Sequence, residues 1–197
     1  MNKVPGVLDA PSLAQRLKTG HAGIIPTDTV PGLATLPGFA NQIWTLKHRP
    51  PDKPLILMAD CATSLLSVVS PSCHSDARGL AEQHWPGALT LVLPAYGSVV
   101  DQLNPGRTTL GVRIPACSLT RSLLRLTGPL ATSSANPAGQ PAARSSEEAA
   151  AMFPAIDQLG PQPWPVCSGL ASTVLAWSGP GKWQVLRQGA VMFPAGS

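Results

Sequence analysis

Thr108-Thr109-Leu110-Gly111-Val112-Arg113-Ile114-Pro115, residues 108–115, reads as a strand with two unlike faces. With a side-chain period of two, Leu110, Val112 and Ile114 point one way into a core, and Thr109, Gly111 and Arg113 point the other way. An arginine in mid-strand beside a glycine describes the floor of a pocket: the glycine leaves room, and the guanidinium can grip an anion. The competing reading is a plain polar sheet face on which Arg113 pairs with a carboxylate. The chain has only 10 Asp and Glu residues, which tilts the balance toward a bound anion.

Outward from this strand, short apolar runs recur at Gly23-Ile24-Ile25, Leu55 to Met58, 88–93, 129–132, 172–177 and 183–187. Each has the length and composition of a strand. Helical patterns fall between them. Residues 1–20 place Leu13, Ala14 and Leu17 on one side, with Gly20 as a stop. Residues 39–49 carry Ile43, Trp44 and Leu46 and are ended by Pro50-Pro51. A third helix is expected after Asp60, with Leu65, Leu66, Val68 and Val69 inside, and the capping pattern Ser145-Ser146-Glu147-Glu148 opens a fourth, through Met152. The alternation predicts an α/β fold with a mixed sheet. The Pro/Gly-rich stretches 94–106 and 160–169 read as loops within one domain, because strand patterns resume after each.

Composition narrows the function classes. Against 44% hydrophobic residues stand only 12% charged ones, with 14 Lys and Arg giving a net charge of +4. That excess suits an anionic ligand such as a nucleotide or RNA. The cations are scattered without a run, however, which an ordinary solvated surface explains equally well. Cys61, Cys73, Cys117 and Cys167 form no CxxC, and His21, His48, His74 and His84 show no metal spacing, so free thiols and no protein-caged metal are expected. No apolar stretch reaches the roughly 20 residues of a membrane span, which predicts a cytoplasmic chain. The common nucleotide motifs are missing: Gly179-Pro180-Gly181-Lys182 is followed by Trp183, where a P-loop needs Ser or Thr.

Three further segments carry chemistry-bearing side chains. Pro26-Thr27-Asp28-Thr29-Val30-Pro31-Gly32-Leu33 is a hydroxyl-rich turn between apolar runs, readable as a ligand loop or as a turn satisfying its own backbone. Lys47-His48-Arg49, with Lys53 close behind, offers cations at a helix C-terminus, where the dipole alone would favour them. Ala131-Thr132-Ser133-Ser134-Ala135-Asn136 gathers small hydrogen-bonding groups at a strand end.

In this order the segments resemble the YrdC family of threonylcarbamoyl-adenylate synthases. The matching pieces are PTDTVPGL at 26–33, Lys-x-Arg at 47–49 with DKPLIL at 52–57, and WPGALTLVLP at 85–94. GVRIP at 111–115, SSAN at 133–136, STV at 172–174 and LRQGA at 186–190 complete the set. The resemblance implies an open, twisted mixed sheet flanked by helices around a large concave basic cavity. It implies a single domain over residues 1–197, without the C-terminal domain of longer relatives. L-threonine would lie among Thr29, Arg113, Thr132 and Ser172. ATP would lie among Lys47, Arg49, Lys53, Thr109, Ser134, Asn136, Ala142 and Arg187, with Lys47, Arg49, Ser134 and Asn136 at the reacting centre.

The implied reaction makes threonylcarbamoyl-AMP and pyrophosphate from L-threonine, bicarbonate and ATP, with Mg²⁺ carried on the ATP phosphates. Its product would serve the threonylcarbamoyladenosine modification of tRNA through a downstream threonylcarbamoyl-transferase complex. Positioning and cationic stabilisation do most of the work in such a transfer, which fits a site of Lys, Arg, Thr, Ser and Asn with no nucleophile. The alternative is a non-catalytic YrdC-like module that holds double-stranded RNA, tRNA or ribosomal RNA. Three positions depart from the pattern: Pro31 stands where tyrosine is usual, Met58 where many relatives have histidine, and Ala176 where aspartate is common.

Overall fold

Asp9 starts the first helix. Its carboxylate accepts the Ser12 N–H at 2.9 Å, Pro11 occupies the first turn, and Leu13, Ala14 and Leu17 turn inward. The computed structural model describes residues 6–193, so the first five residues of the helical stretch read at 1–20 lie outside the described residues. The strands are β1 (Val7–Leu8), β2 (Gly23–Ile25), β3 (Gly32–Thr35), β4 (Ile56–Met58), β5 (Leu89–Pro94), β6 (Thr109–Arg113), β7 (Leu130–Ser134), β8 (Asp157–Leu159), β9 (Thr173–Gly179) and β10 (Lys182–Arg187). The helices are α1 (Ala10–Lys18), α2 (Asn41–Lys47), α3 (Ala62–Leu66), α4 (His74–His84), α5 (Ser98–Leu103), α6 (Ser118–Thr127) and α7 (Ser146–Met152).

Among the described residues the strands form one mixed sheet in the order β1-β8-β2-β3-β7-β4-β6-β5-β9-β10. β4–β6, β5–β9, β2–β8 and β1–β8 pair parallel, and the rest pair antiparallel. The expected α/β class and mixed sheet are what the structure has. The alternation read at 108–115 also holds: Leu110, Val112 and Ile114 are in the larger apolar core. That core takes one side of the sheet, where Ile43 and Trp44 of α2, Leu65 and Leu66 of α3, Ala77 of α4, Leu103 of α5 and Ala149 of α7 meet Ile24, Leu33, Leu57, Leu91, Ala131 and Leu175.

The opposite side is covered unevenly. α1 and α6 pack together and bury Leu13, Leu17, Leu123 and Leu124 with Ile25, Ala34, Met58, Leu130 and Leu159. This second core reaches only the β8-β2-β3-β7-β4 part of the sheet. Beyond it the same face of β4, β6, β5 and β9 is left open, and that vacancy becomes the site.

Several boundaries differ from the sequence reading. The stretch 94–106 is not all loop, because Val100 and Leu103 bury one side of α5. α2 is shorter than 39–49: a 3₁₀ turn occupies Pro37–Phe39, and His48 leaves the helix with a left-handed backbone. α3 stops at Leu66, so Val68 and Val69 fall after it. Gly32-Leu33, read as part of a turn, begin β3, whose four residues are buried between β2 and β7.

Candidate active site

A cavity of about 640 Å³ occupies the uncovered face. The period of two selects Thr109, Gly111 and Arg113 from β6, Ile56 and Met58 from β4, Thr90 and Val92 from β5, and Val174 from β9, whereas Thr132, Ser133 and Ser134 at the end of β7 all line it. A Cβ on Gly111 would sit 3.5 Å from Ile56 and 3.6 Å from Thr90, in ordinary contact, so the residue's value lies in the space it leaves above the sheet. Among the described residues the wall carries four guanidiniums (Arg49, Arg107, Arg113 and Arg187) against one carboxylate, Asp52.

The floor is dry and internally paired. Thr29, Arg113, Thr132 and Ser172 are between 1% and 3% exposed, so every polar atom there needs a partner. Arg113 donates from Nε to the Gly87 carbonyl, from Nη1 to Thr29 Oγ1 and from Nη2 to both carboxylate oxygens of Asp28, all at 2.9 Å. Asp28 also accepts the Ala116 N–H at 2.9 Å. The carboxylate reading of Arg113, the less favoured of the two from sequence, is therefore correct for most of its donors. One Nη1 hydrogen is left without an acceptor among the described residues. Burial pulls the Arg113 pKa down, the Asp28 charge and hydrogen bonds oppose this, and the Arg187 charge adds to it.

Hydroxyl directions follow from the same accounting. Thr27 donates to the Val30 carbonyl at 2.7 Å, so the 2.9 Å contact between Thr27 and Thr29 must be donated by Thr29. Thr132 donates to the Ile56 carbonyl at 3.0 Å. Both residues line the cavity with their donor spent, so their hydroxyls can only accept there. Ser172 meets Thr90 Oγ1 at 2.8 Å and takes an Arg187 N–H at 3.2 Å, while its carbonyl takes Arg187 Nε and Nη2. Gly189 permits this approach: a Cβ there would lie 2.6 Å from the Ser172 backbone and collide with the Ala171 carbonyl oxygen. That is the physical content of the LRQGA segment.

Of the twelve residues singled out from sequence, nine line the cavity: Thr29, Arg49, Thr109, Arg113, Thr132, Ser134, Ala142, Ser172 and Arg187. The other three, Lys47, Asn136 and Lys53, do not line it. Lys47 is buried behind the wall, its ammonium donating to the Ser134 carbonyl, to the Asn136 carbonyl at 2.6 Å and to Asn136 Oδ1 at 3.1 Å. With three oxygens satisfying three N–H groups, it braces the SSAN turn. Burial first, then the nearby Arg49 charge, lower its pKa to about 8. Asn136 is the other half of the brace, receiving the Ser134 hydroxyl at 2.6 Å and donating to the Pro137 and Gln140 carbonyls. Lys53 is exposed and contributes its carbonyl to Trp44 Nε1 at 2.8 Å, while its neighbours Asp52 and Pro54 line the cavity.

Arg49 reaches the cavity past its helix end, donating to Ser133 Oγ at 3.1 Å and to the Pro54 carbonyl at 3.4 Å. Burial lowers its pKa, opposed by the Asp52 charge. Burial lowers that of Arg187 too. The sequence reading missed Thr90, which lies within the WPGALTLVLP piece, and Asn104 and Arg107, which belong to no motif. Thr90 was discoverable, since it alternates with core residues Leu89 and Leu91. Of the three departures only Met58 lines the cavity; Pro31 borders a smaller pocket of about 370 Å³ beside Trp164.

The family model described as "Telomere recombination", covering Sua5, YciO and YrdC proteins, matches residues 15–189. The chain belongs to that family. Among its relatives, the threonylcarbamoyl-AMP synthase of Idiomarina loihiensis is 38% identical over 142 residues, 70% of this chain and 76% of that protein. The human threonylcarbamoyl-AMP synthase is 31% identical over 186 residues, covering 89% of this chain and 65% of the human one. Sua5 of Pyrococcus abyssi in complex with L-threonine superposes with a TM-score of 0.85 at 28% identity, over 95% of this chain and 57% of that one. This chain thus spans little more than half of the archaeal Sua5 and about two thirds of the human relative. Escherichia coli YciO, at 20% identity and a TM-score of 0.79, shares the fold.

Proposed function

We propose that this Sua5/YrdC-family chain is a threonylcarbamoyl-AMP synthase, a nucleotidyl transferase that joins L-threonine, bicarbonate and ATP. The observation that carries the reading is the convergence of Arg49, Arg113 and Arg187 on one open cavity whose buried floor is built from hydroxyl acceptors. The shared name of relatives from bacteria, archaea and mammals, and the threonine complex of Sua5, support it.

The floor fits an amino acid with its own donors. Thr29 and Thr132 offer lone pairs to an ammonium or hydroxyl hydrogen, and the free Arg113 N–H with Arg187 suits a carboxylate. The cationic wall also favours the neutral amine over the ammonium, which is the form that attacks bicarbonate. In the reaction, the threonine nitrogen bonds to the bicarbonate carbon with loss of water. A carbamate oxygen then attacks the α-phosphorus of ATP, and the bond to the β-phosphate oxygen breaks to release pyrophosphate.

Arg49, Arg187, Thr109 and Ser134 would hold the triphosphate, and Mg²⁺ would travel on it, needing no protein cage. Lys47 and Asn136 act one step back by fixing the Ser134 turn. The product would pass to a threonylcarbamoyl-transferase acting on tRNA. No described helix is long and apolar enough to cross a membrane.

The deciding assay is pyrophosphate release by purified protein given ATP, bicarbonate and L-threonine. Release that requires threonine and bicarbonate together is expected. Release indifferent to threonine, or none at all, defeats the proposal.

A further inference from the structure

We infer that Arg107 is a further cation of the ATP site, closing on the β- and γ-phosphates and on the pyrophosphate they become. The inference rests on reading the cavity as an ATP site. Arg49, Arg113 and Arg187 are each tied to the protein through their guanidiniums. Arg107 lines the same cavity and is exposed, and its side chain makes no hydrogen bond or ion pair among the described residues.

Its backbone is held firmly. The Arg107 N–H donates to the Asn104 carbonyl at 3.1 Å, Asn104 Nδ2 donates to the Thr109 carbonyl at 2.9 Å, and the Thr108 carbonyl accepts the Ala95 N–H at 3.0 Å. Gly106 makes the turn at φ +73°, a conformation that side chains disfavour. A stiff loop therefore presents an untied cation two residues before Thr109.

Position selects the phosphate end. The dry floor takes the amino acid, so the α-phosphate must come to it, and the rest of ATP extends toward the exposed walls. Arg107 stands with Asn104 and Thr109 beside the Asp52–Leu55 segment, to which the Leu55 N–H···Leu103 carbonyl bond of 2.9 Å joins its loop. Arg49 lies on the same side, donating to Pro54. This wall carries the guanidiniums of Arg49 and Arg107 against the single carboxylate of Asp52. As the α-phosphorus bond breaks, the pyrophosphate oxygen gains negative charge, and a cation able to follow it stabilises the transition state more than the ground state.

Calorimetric titration of the full chain with ATP, pyrophosphate, AMP and L-threonine tests the inference, using wild type, Arg107→Ala and Arg107→Lys. Arg107→Ala is expected to bind ATP and pyrophosphate about tenfold more weakly, with AMP and threonine nearly unchanged and Arg107→Lys recovering part of the loss. Unfolding midpoints should match, because the side chain holds nothing in place. Equal ATP and pyrophosphate affinities in wild type and Arg107→Ala overturn the inference, as does an equal loss for AMP. A wild type that binds neither ATP nor pyrophosphate overturns the ATP-site reading itself, and the two failures are told apart by that arm alone.

Discussion

The floor and the rim of the cavity use the same residue types in opposite ways. On the floor, Arg113, Thr29 and Thr132 are almost wholly buried and spend all but one of their side-chain donors on Asp28, Gly87, Thr27, Thr29 and Ile56. On the rim, Arg107 and Arg187 are exposed, and Arg107 is tied to nothing among the described residues. A desolvated floor must satisfy itself before any ligand arrives, so its shape and hydrogen directions are set in advance. A wet rim keeps its charge available and adapts to a ligand whose own charge changes during the reaction.

Breaking the floor should unfold the protein before it merely weakens binding. Arg113→Ala leaves Asp28 without its ion pair, and a loss of about 3–5 kcal/mol is expected, read as a lower urea midpoint. A midpoint near wild type would place Arg113 with the rim. Next in size is Lys47→Met, which strips the donor from three oxygens and should cost about 2 kcal/mol.

That second variant also carries a pH signature. The Lys47 pKa of about 8 lies below its unfolded value of 10.5, so between these the unfolded chain holds a proton that the folded chain has shed. The group's contribution to stability therefore rises with pH across that window, and its cost is fully present below it. Urea midpoints at about pH 7 and about pH 9.5 should show the gap between wild type and Lys47→Met widening at the higher pH. A constant gap would contradict the lowered pKa.

At the rim, Arg49→Ala should change stability by about 0.5 kcal/mol or less but weaken ATP binding about tenfold, with a flatter dependence on salt. Smallest in stability is Gly111→Ala, whose new methyl meets only ordinary contacts. It should leave the urea midpoint within about 0.5 kcal/mol of wild type while weakening threonine binding by calorimetry. Unchanged threonine affinity would mean that the space above Gly111 goes unused.

Most strands were legible because each shows one face to a core, and a period of two survives in the bare sequence, as Leu110, Val112 and Ile114 demonstrate. α5 was missed because Ser98–Leu103 is short and lies between glycines and prolines that read as loop. β3 was missed because Gly32-Leu33-Ala34-Thr35 follows Pro31 and reads as the end of a turn, without the Ile-Ile run that marks the equally buried β2. Nine of the chosen site residues reached the cavity through strand phase and motif order. Lys47 and Asn136 did not, because a helix-end lysine looks the same in sequence whether it points to solvent or to three carbonyl and amide oxygens behind a turn.

The amino-acid sequence alone determined the alternation of faces, the α/β class, and the set of hydroxyl and basic groups from which a site could be made, because these depend on local periodicity and residue chemistry. Only the tertiary structure decided which of those groups remain free. Asp28 and Arg113 stand 85 positions apart, and Lys47 and Asn136 stand 89 apart. Whether a charge meets a ligand or another side chain is settled by desolvation and hydrogen-bond satisfaction in the assembled fold, and no local pattern encodes that.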